Sequence, residues 1–261
     1  MTATQSLTYF NNIKLIQIGC GGTGSWLVPL VSKLANNIQL HIPANRCRIN
    51  YTLVDFDNVE NRNIIRQNFT NWDIGKNKAQ SLMNRYCFEF ANINVISVKI
   101  TKLSDLKKLT NDSFEEQDQE LKNLIILFGC GDNNSVRHLL FNFSKKISKI
   151  ENNSVLYIDS GNLLYHGQIV THVFNYPEDP QQNLWPKKKK KKALDFKKMF
   201  PIENDNYQSE QSCAFFGDQS QAINAMAASL IFINLQKLLI MNEIPPELIS
   251  FNSSGYSTFE V

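Results

Sequence analysis

At 261 residues the chain is long enough for one large domain, and 43% apolar and 11% aromatic content supplies a full core. A net charge of +3 excludes the broad basic surface that would argue for nucleic acid, since six of the lysines stand in one run, Lys187 to Lys192. The five cysteines are widely spaced and include no C-x-x-C pair, which argues against a disulfide framework or a four-cysteine zinc site and for reduced cysteines in the cytoplasm.

The opening MTATQSLTYFNN lacks the basic and apolar regions of a signal peptide. Lys14 to Gly19, KLIQIG, reads as a buried strand, and Thr23 to Leu34 as a helix, with Trp26, Leu27, Leu30, Val31 and Leu34 on one stripe. Asn36 to Ile49 reads as an insertion before a second strand, Asn50 to Asp55. A helix over Gly75 to Glu89 and a third strand, Asn94 to Ile100, follow. The fourth strand is Leu124 to Gly129, then a helix from Asn134 to Ile150 and a fifth strand, Val155 to Ser160. This alternation, with strands apolar on both faces, predicts a mainly parallel sheet covered by helices on both sides. Gly167 to Phe174 follows too closely for a crossover and predicts an antiparallel hairpin. Residues 175–211 carry four prolines and the lysine run and read as an exposed, flexible, solvated loop. A long helix over Gln219 to Met241 ends before Pro245-Pro246. No uninterrupted apolar run approaches the roughly 20 residues of a membrane span, because Asn224, Ser229, Asn234, Gln236 and Lys237 break this helix.

The first strand runs directly into GCGGTG, with Gly19, Gly21, Gly22 and Gly24. Such a loop lets backbone amides approach a phosphate and delivers it to a helix N-terminus. The loop does not by itself identify the nucleotide. Asp55 ends the second strand, where an acid can hold a ribose.

The residues after Asp55 are more specific. DFDNVENRNIIRQNFTNWDIGKNKA carries Asp55, Asp57, Val59, Asn63, Arg66, Gln67, Asp73, Gly75 and Lys78 in the order and spacing of the ThiF/MoeB/E1 family of activating enzymes, which the chain resembles. GCGDN (Gly129 to Asn133), Arg137, DSG (Asp159 to Gly161), GQI (Gly167 to Ile169) and SCA (Ser212 to Ala214) extend the likeness, which covers about Ile13 to Leu239. The ending and the insertion look closest to the ThiF-like proteins of plasmid PRTRC systems.

The resemblance implies a Rossmann-like α/β fold of the ThiF/E1 type, with an antiparallel extension and a long C-terminal helix. It implies one adenylation domain over 1–261, with 10–160 its nucleotide-binding half and 161–261 facing the carrier. The implied activity is ATP-dependent adenylylation of the C-terminal carboxylate of a ubiquitin-like or sulfur-carrier protein ending in glycine. Gly19, Gly21, Gly22 and Gly24 would meet the nucleotide, Asp55 its ribose, and Asn63, Arg66, Gln67 and Lys78 its phosphate region; Asp132 would hold Mg²⁺. Arg66, Lys78, Asp132 and Cys213 would be catalytic. Cys213 is read equally as an acyl or sulfur acceptor or as an inert packed thiol; Cys20, Cys87 and Cys130 read as packing residues.

A homodimer is implied, with no membrane and no nucleic-acid partner. No structural zinc is expected. No arginine precedes Arg46, so the cation that relatives bring from an N-terminal segment is missing, or comes from Arg46, Arg48 or Lys14. Three other readings stay open: an ATP-dependent dehydratase of modified tRNA, an NAD(P)-dependent oxidoreductase, and a non-catalytic nucleotide-binding scaffold.

Overall fold

The computed structural model describes residues 9–42, 45–87, 92–111, 122–150, 153–175, 196–200, 220–241 and 243–259. In chain order these form β1 (Asn12–Ile18), α1 (Gly22–His41), β2 (Arg48–Val54), two single 3-10 turns (Asn61–Asn63 and Asn71–Asp73), α2 (Lys78–Tyr86), β3 (Ile93–Ile96) and α3 (Leu103–Asn111). Then come β4 (Asn123–Gly129), α4 (Asn134–Ile147), β5 (Asn153–Asn162), β6 (His166–Phe174), the one-turn α5 (Phe196–Met199), α6 (Gln221–Gln236, prolonged by a π turn to Met241), β7 (Leu248–Asn252) and β8 (Gly255–Phe259).

The strands make one sheet in the order β3-β2-β1-β4-β5-β6-β7-β8. Pairs from β3 to β5 are parallel; β5-β6, β6-β7 and β7-β8 are antiparallel. The mainly parallel sheet with an antiparallel extension is therefore as read from the sequence. Side chains alternate between two cores. Leu15, Leu53, Ile126 and Phe128 face α1, α2 and α6, whereas Ile16, Val54, Ile125 and Leu127 face α3, α4 and α5. Strand order reverses between β1 and β4, and the crevice at the carboxyl ends of those strands is where open α/β sheets bind ligands.

Three sequence expectations change. The first part of the supposed insertion, residues 36–41, is the end of α1, which runs on to His41, and its last two residues, Arg48 and Ile49, open β2. Buried Ile38 and Ile42 hold the helix against the core and outweigh the poor helix propensity of Asn36 and Asn37. Pro29 sits inside α1 without kinking consequences for its polar groups: the Ser25 carbonyl it leaves unpaired accepts from Asn68 Nδ2 at 3.2 Å. Second, α3 appears where no element is predicted. It is started by Asp105, whose carboxylate accepts from the Thr101 and Lys102 amides, and anchored by fully buried Leu106. Third, the β7–β8 hairpin completes the sheet from two five-residue strands beyond the last element read from the sequence.

Helix Gln221–Met241 is long and apolar enough to cross a membrane by length and composition, with mean hydropathy 1.6. The polar breaks read from its sequence do not take it below that mark. In this fold it lies against α1, β5 and β6, with Ile223, Ala227, Ala228, Leu230, Ile231 and Leu235 buried. Cys213 and the run Lys187–Lys192 lie outside the described residues.

Candidate nucleotide-binding site

The glycine loop is held from beneath by a residue that the motif does not include. Gln17, fully buried at the end of β1, donates from Nε2 to the carbonyls of Gly19 and Gly24, 3.0 Å each, and accepts from the Tyr51 hydroxyl at 2.6 Å. Gly19 has φ +98, a region that side chains avoid, and a Cβ there would stand 2.7 Å from the Cys130 carbonyl oxygen. The loops after β1 and β4 can therefore touch only through a glycine. Helix α1 begins at Gly22 with no side-chain cap and no acidic residue in its first turn. Its first amides and dipole are left for an anion in front of the loop.

Asp55, at the end of β2, braces this loop. Its Oδ2 accepts from the Cys20 amide at 2.6 Å and its Oδ1 from the Asp57 amide at 2.9 Å. Burial raises its carboxyl above the ordinary carboxylate value, with the two amides and Lys78 opposing the shift. Burial likewise pushes the Cys20 thiol well up, as befits a packed side chain rather than a nucleophile.

Residues 58–77 then pass across the front of the sheet. Asn63 is buried, and its Oδ1 accepts from the Glu60 amide at 2.9 Å, so its Nδ2 is what remains for the cleft. Lys78, at the start of α2, is 7% exposed, and its Nζ lies 3.1 Å from Asp57 Oδ2. Asn77 caps that helix through the Gln80 amide. The Asp73 carboxylate pairs with Arg85 and accepts from the Thr70 amide, which fixes the turn before Gly75. The Arg66 guanidinium has no hydrogen bond or ion pair with the described residues. Gln67 is buried, and its Oε1 has no donor among the described residues, an orphan acceptor that a ligand hydroxyl would satisfy.

At the end of β4, Asn133 caps α4 by accepting from the Val136 amide at 3.0 Å. Capping therefore falls to Asn133, and exposed Asp132 is left facing the cleft. Arg137 has four of its five N–H donors engaged: Nε reaches Asp159 at 3.0 Å, Nη1 Asn134 at 2.7 Å, and Nη2 the carbonyls of Gly131 and Ser160 at 2.7 and 2.8 Å. It ties the loop after β4 to the end of β5. Asp159 is fully buried, accepts also from the Tyr157 hydroxyl, and is pushed up to about 6 by burial, against the pull of Arg137.

These residues line one cleft of about 1270 Å³. Gly19, Gly21, Gly22, Asp55, Asn63, Arg66, Gln67, Lys78 and Asp132 are all on its wall. Gly24 is not; it packs behind the loop, against Gly19 and Gln17. Lys14 lies in the middle of β1, and Arg46 and Arg48 stand at the amino ends of the strands, so none of these three reaches the cleft. The additional arginine on its wall is Arg62, half-exposed and paired with Glu60 at 2.5 Å. Sequence reasoning also missed Thr23, Asn162 and Phe200 on the wall, together with the hairpin residues Ser250 to Asn252, and Gln17 behind the loop. Only Arg62 carried a readable signal, by its adjacency to Asn63. Phe200 arrives on α5, where Phe196 stacks on Phe141 at 4.4 Å and the Phe200 carbonyl lies 2.5 Å from His138 Nε2.

A match to the ThiF family spans residues 5–260. No curated protein sequence matches the chain. Among solved structures, E. coli MccB with AMPCPP and MccA is similar at 19% identity and TM-score 0.58, covering 99% of this chain and 65% of that one. MccB with ATP is similar at 17% identity and TM-score 0.60, with coverage of 99% and 65%. PaaA is similar at 15% identity and TM-score 0.57, with coverage of 99% and 66%. At these identities the likeness is one of fold, and the chain spans just under two thirds of the length of each.

Proposed function

We propose that this chain, which belongs to the ThiF family, is an ATP-dependent adenylyltransferase that activates the C-terminal carboxylate of a small protein or peptide. One observation carries the reading. A single cleft at the sheet's switch point gathers an uncapped helix N-terminus, an unengaged arginine, a lysine, an asparagine amide and an exposed aspartate. That is the donor set of a triphosphate site. A nicotinamide site needs no such density of cations. The MccB structures named for ATP, AMPCPP and MccA support the same direction.

In this reading a carboxylate oxygen of the acceptor attacks the α-phosphorus of ATP. The bond from that phosphorus to the oxygen leading to the β-phosphate breaks, and pyrophosphate leaves, so no proton need be moved. Catalysis is then placement and charge neutralisation. The amides of Gly21, Gly22 and Thr23 take phosphate oxygens. Arg66 supplies a planar fork, and Lys78 exchanges half-exposed Asp57 for phosphate, an exchange that costs little because such pairs are weak. Asp55 keeps the loop in place and presents its remaining lone pairs to the ribose.

Among the described residues no three His, Cys, Asp or Glu side chains gather as a metal cage. A lone carboxylate beside substrate phosphates and water nevertheless suits Mg²⁺. Asp132 would hold the ion, which when bound would neutralise charge on the phosphates. We extend the proposal to a ubiquitin-like or sulfur-carrier acceptor ending in glycine, and to a homodimer.

The test is ATP–pyrophosphate exchange with Mg²⁺ and small glycine-ended proteins encoded beside this chain's gene. Exchange should appear with one of them and fall at least 100-fold in Arg66→Ala and in Asp132→Ala. Exchange that survives both substitutions would overturn the site.

A further inference from the structure

Helix α6 is the most apolar helix of the fold, yet two fully buried asparagines interrupt it, Asn224 and Asn234. A buried amide is costly where its polar atoms lack partners, so the partners that each does find show what it is for; the Oδ1 of Asn234 has none among the described residues. Asn234 donates to the Thr171 hydroxyl at 3.0 Å, a bond between α6 and β6 remote from the cleft. The partners of Asn224 are different. Its Nδ2 donates to the Arg66 carbonyl at 3.1 Å, and its Oδ1 accepts from Asn162 Nδ2 at 3.3 Å. Asn162 Nδ2 also donates to the Thr23 hydroxyl. Arg66, Asn162 and Thr23 all line the cleft, and Asn224 stands one bond behind it.

Arg66 lies in a segment with little regular structure. Its own amide is bonded locally, to the Asn63 carbonyl at 3.2 Å. Nearby, Asn68 ties the segment to α1 by donating to both oxygens of Ser25, from Nδ2 to the carbonyl and from its backbone amide to the hydroxyl. At Arg66 itself, among the described residues, the tie to the rest of the fold is the bond from Asn224. With its guanidinium otherwise unengaged, Arg66 owes its aim to where its backbone is held.

We propose that Asn224 is a positioning residue for Arg66, setting the arginine's backbone so that its side chain meets the phosphates. The proposal rests on the nucleotide reading of the cleft and adds to it a residue that touches no substrate. Asn234 is its internal control, being the same residue type on the same helix at the same burial. Asn224→Ala and Asn234→Ala should both lower the melting temperature. Only Asn224→Ala should weaken binding of MgATP, measured by calorimetry, by about tenfold, the scale of one lost hydrogen bond that orders a charged contact. Arg66→Ala should lose at least as much, and the double variant Arg66→Ala/Asn224→Ala no more than Arg66→Ala alone, since the two act through one group.

Asn224→Ala with the same MgATP affinity as Asn234→Ala would overturn the positioning role, while an Arg66→Ala defect kept the nucleotide site standing. Native protein that binds no MgATP would sink both. If Asn224→Ala does not fold, Asn224→Leu, compared with Asn234→Leu, meets the same criterion: it keeps the side-chain volume and removes the donor to the Arg66 carbonyl.

Discussion

Substitution of Gly19 by alanine tests the contact on which the cleft is built. Two penalties fall on the same atom. The backbone at φ +98 is strained for any side chain, and the new Cβ would stand 2.7 Å from the Cys130 carbonyl oxygen and 2.8 Å from its carbon. Real Cβ atoms keep at least 3.0 Å, and both neighbours are backbone, so no rotamer change relieves the clash. The strain costs about 1–3 kcal/mol, and overpacking at a rigid contact costs about 1–3 kcal/mol more. The middle of these ranges is about 4 kcal/mol, a large part of a total stability of about 5–15 kcal/mol. For a chain of this size that lowers the melting temperature by about 12 °C. The loops after β1 and β4 must also separate, so MgATP affinity should fall with it. Gly131, across the same contact, has a Cβ position with nothing within 4 Å and provides the control. Gly131→Ala should melt within about 3 °C of the native protein, because a compatible alanine changes stability by less than about 1 kcal/mol. Circular-dichroism melts and calorimetric titration of MgATP measure both quantities. A Gly19→Ala protein that melts with the native one and binds MgATP equally would refute the reasoning.

Asp159 should leave a signature in the pH dependence of folding. Its carboxyl is raised to about 6 from 3.8, burial outweighing Arg137, so the native state holds a proton that the unfolded chain has released. Stability from this group is present below about pH 4 and is lost as pH rises to about 6, by about 3 kcal/mol at about 1.4 kcal/mol per unit. Asparagine cannot titrate, so the stability advantage of the native protein over Asp159→Asn in urea unfolding should shrink between about pH 4 and pH 7. An advantage that grows would place the carboxyl below its ordinary value. Lys78→Met should separate binding from stability. The Asp57 left behind is half-exposed and can be hydrated, so unfolding should change by no more than about 1 kcal/mol. MgATP affinity should nevertheless fall at least about tenfold if Lys78 meets phosphate. Equal affinity in native and variant proteins would return Lys78 to a purely structural pair.

Much of this architecture was legible in the residues. Strands such as Leu124 to Gly129 are continuously apolar because both faces are covered, and GCGGTG stands at a strand-to-helix junction, so β1, its loop and α1 could be read from local pattern. The close spacing of Gly167 to Phe174 after the fifth strand predicted the antiparallel hairpin for the same reason. Less could be read where a signal was weak or absent. Asn36 and Asn37 look like a helix end until Ile38 and Ile42 find a core, and the β7–β8 strands, which complete the cleft, are five residues each, too short for their pattern to stand out.

Sequence order and residue chemistry alone determined which groups the cleft could contain. They did not determine which of those groups would be free. Arg66 and Arg137 are equal as letters, yet Arg137 is bound by Asp159, Gly131 and Ser160 while no described residue engages the guanidinium of Arg66. Asp55 turns out to brace the Cys20 amide, and Gln17, in no motif, carries the glycine loop. The physical reason is that a polar group's role depends on which donor or acceptor displaces its water. For Asn224 those partners are 158 and 62 residues away along the chain, a meeting that only the packed sheet and helices arrange.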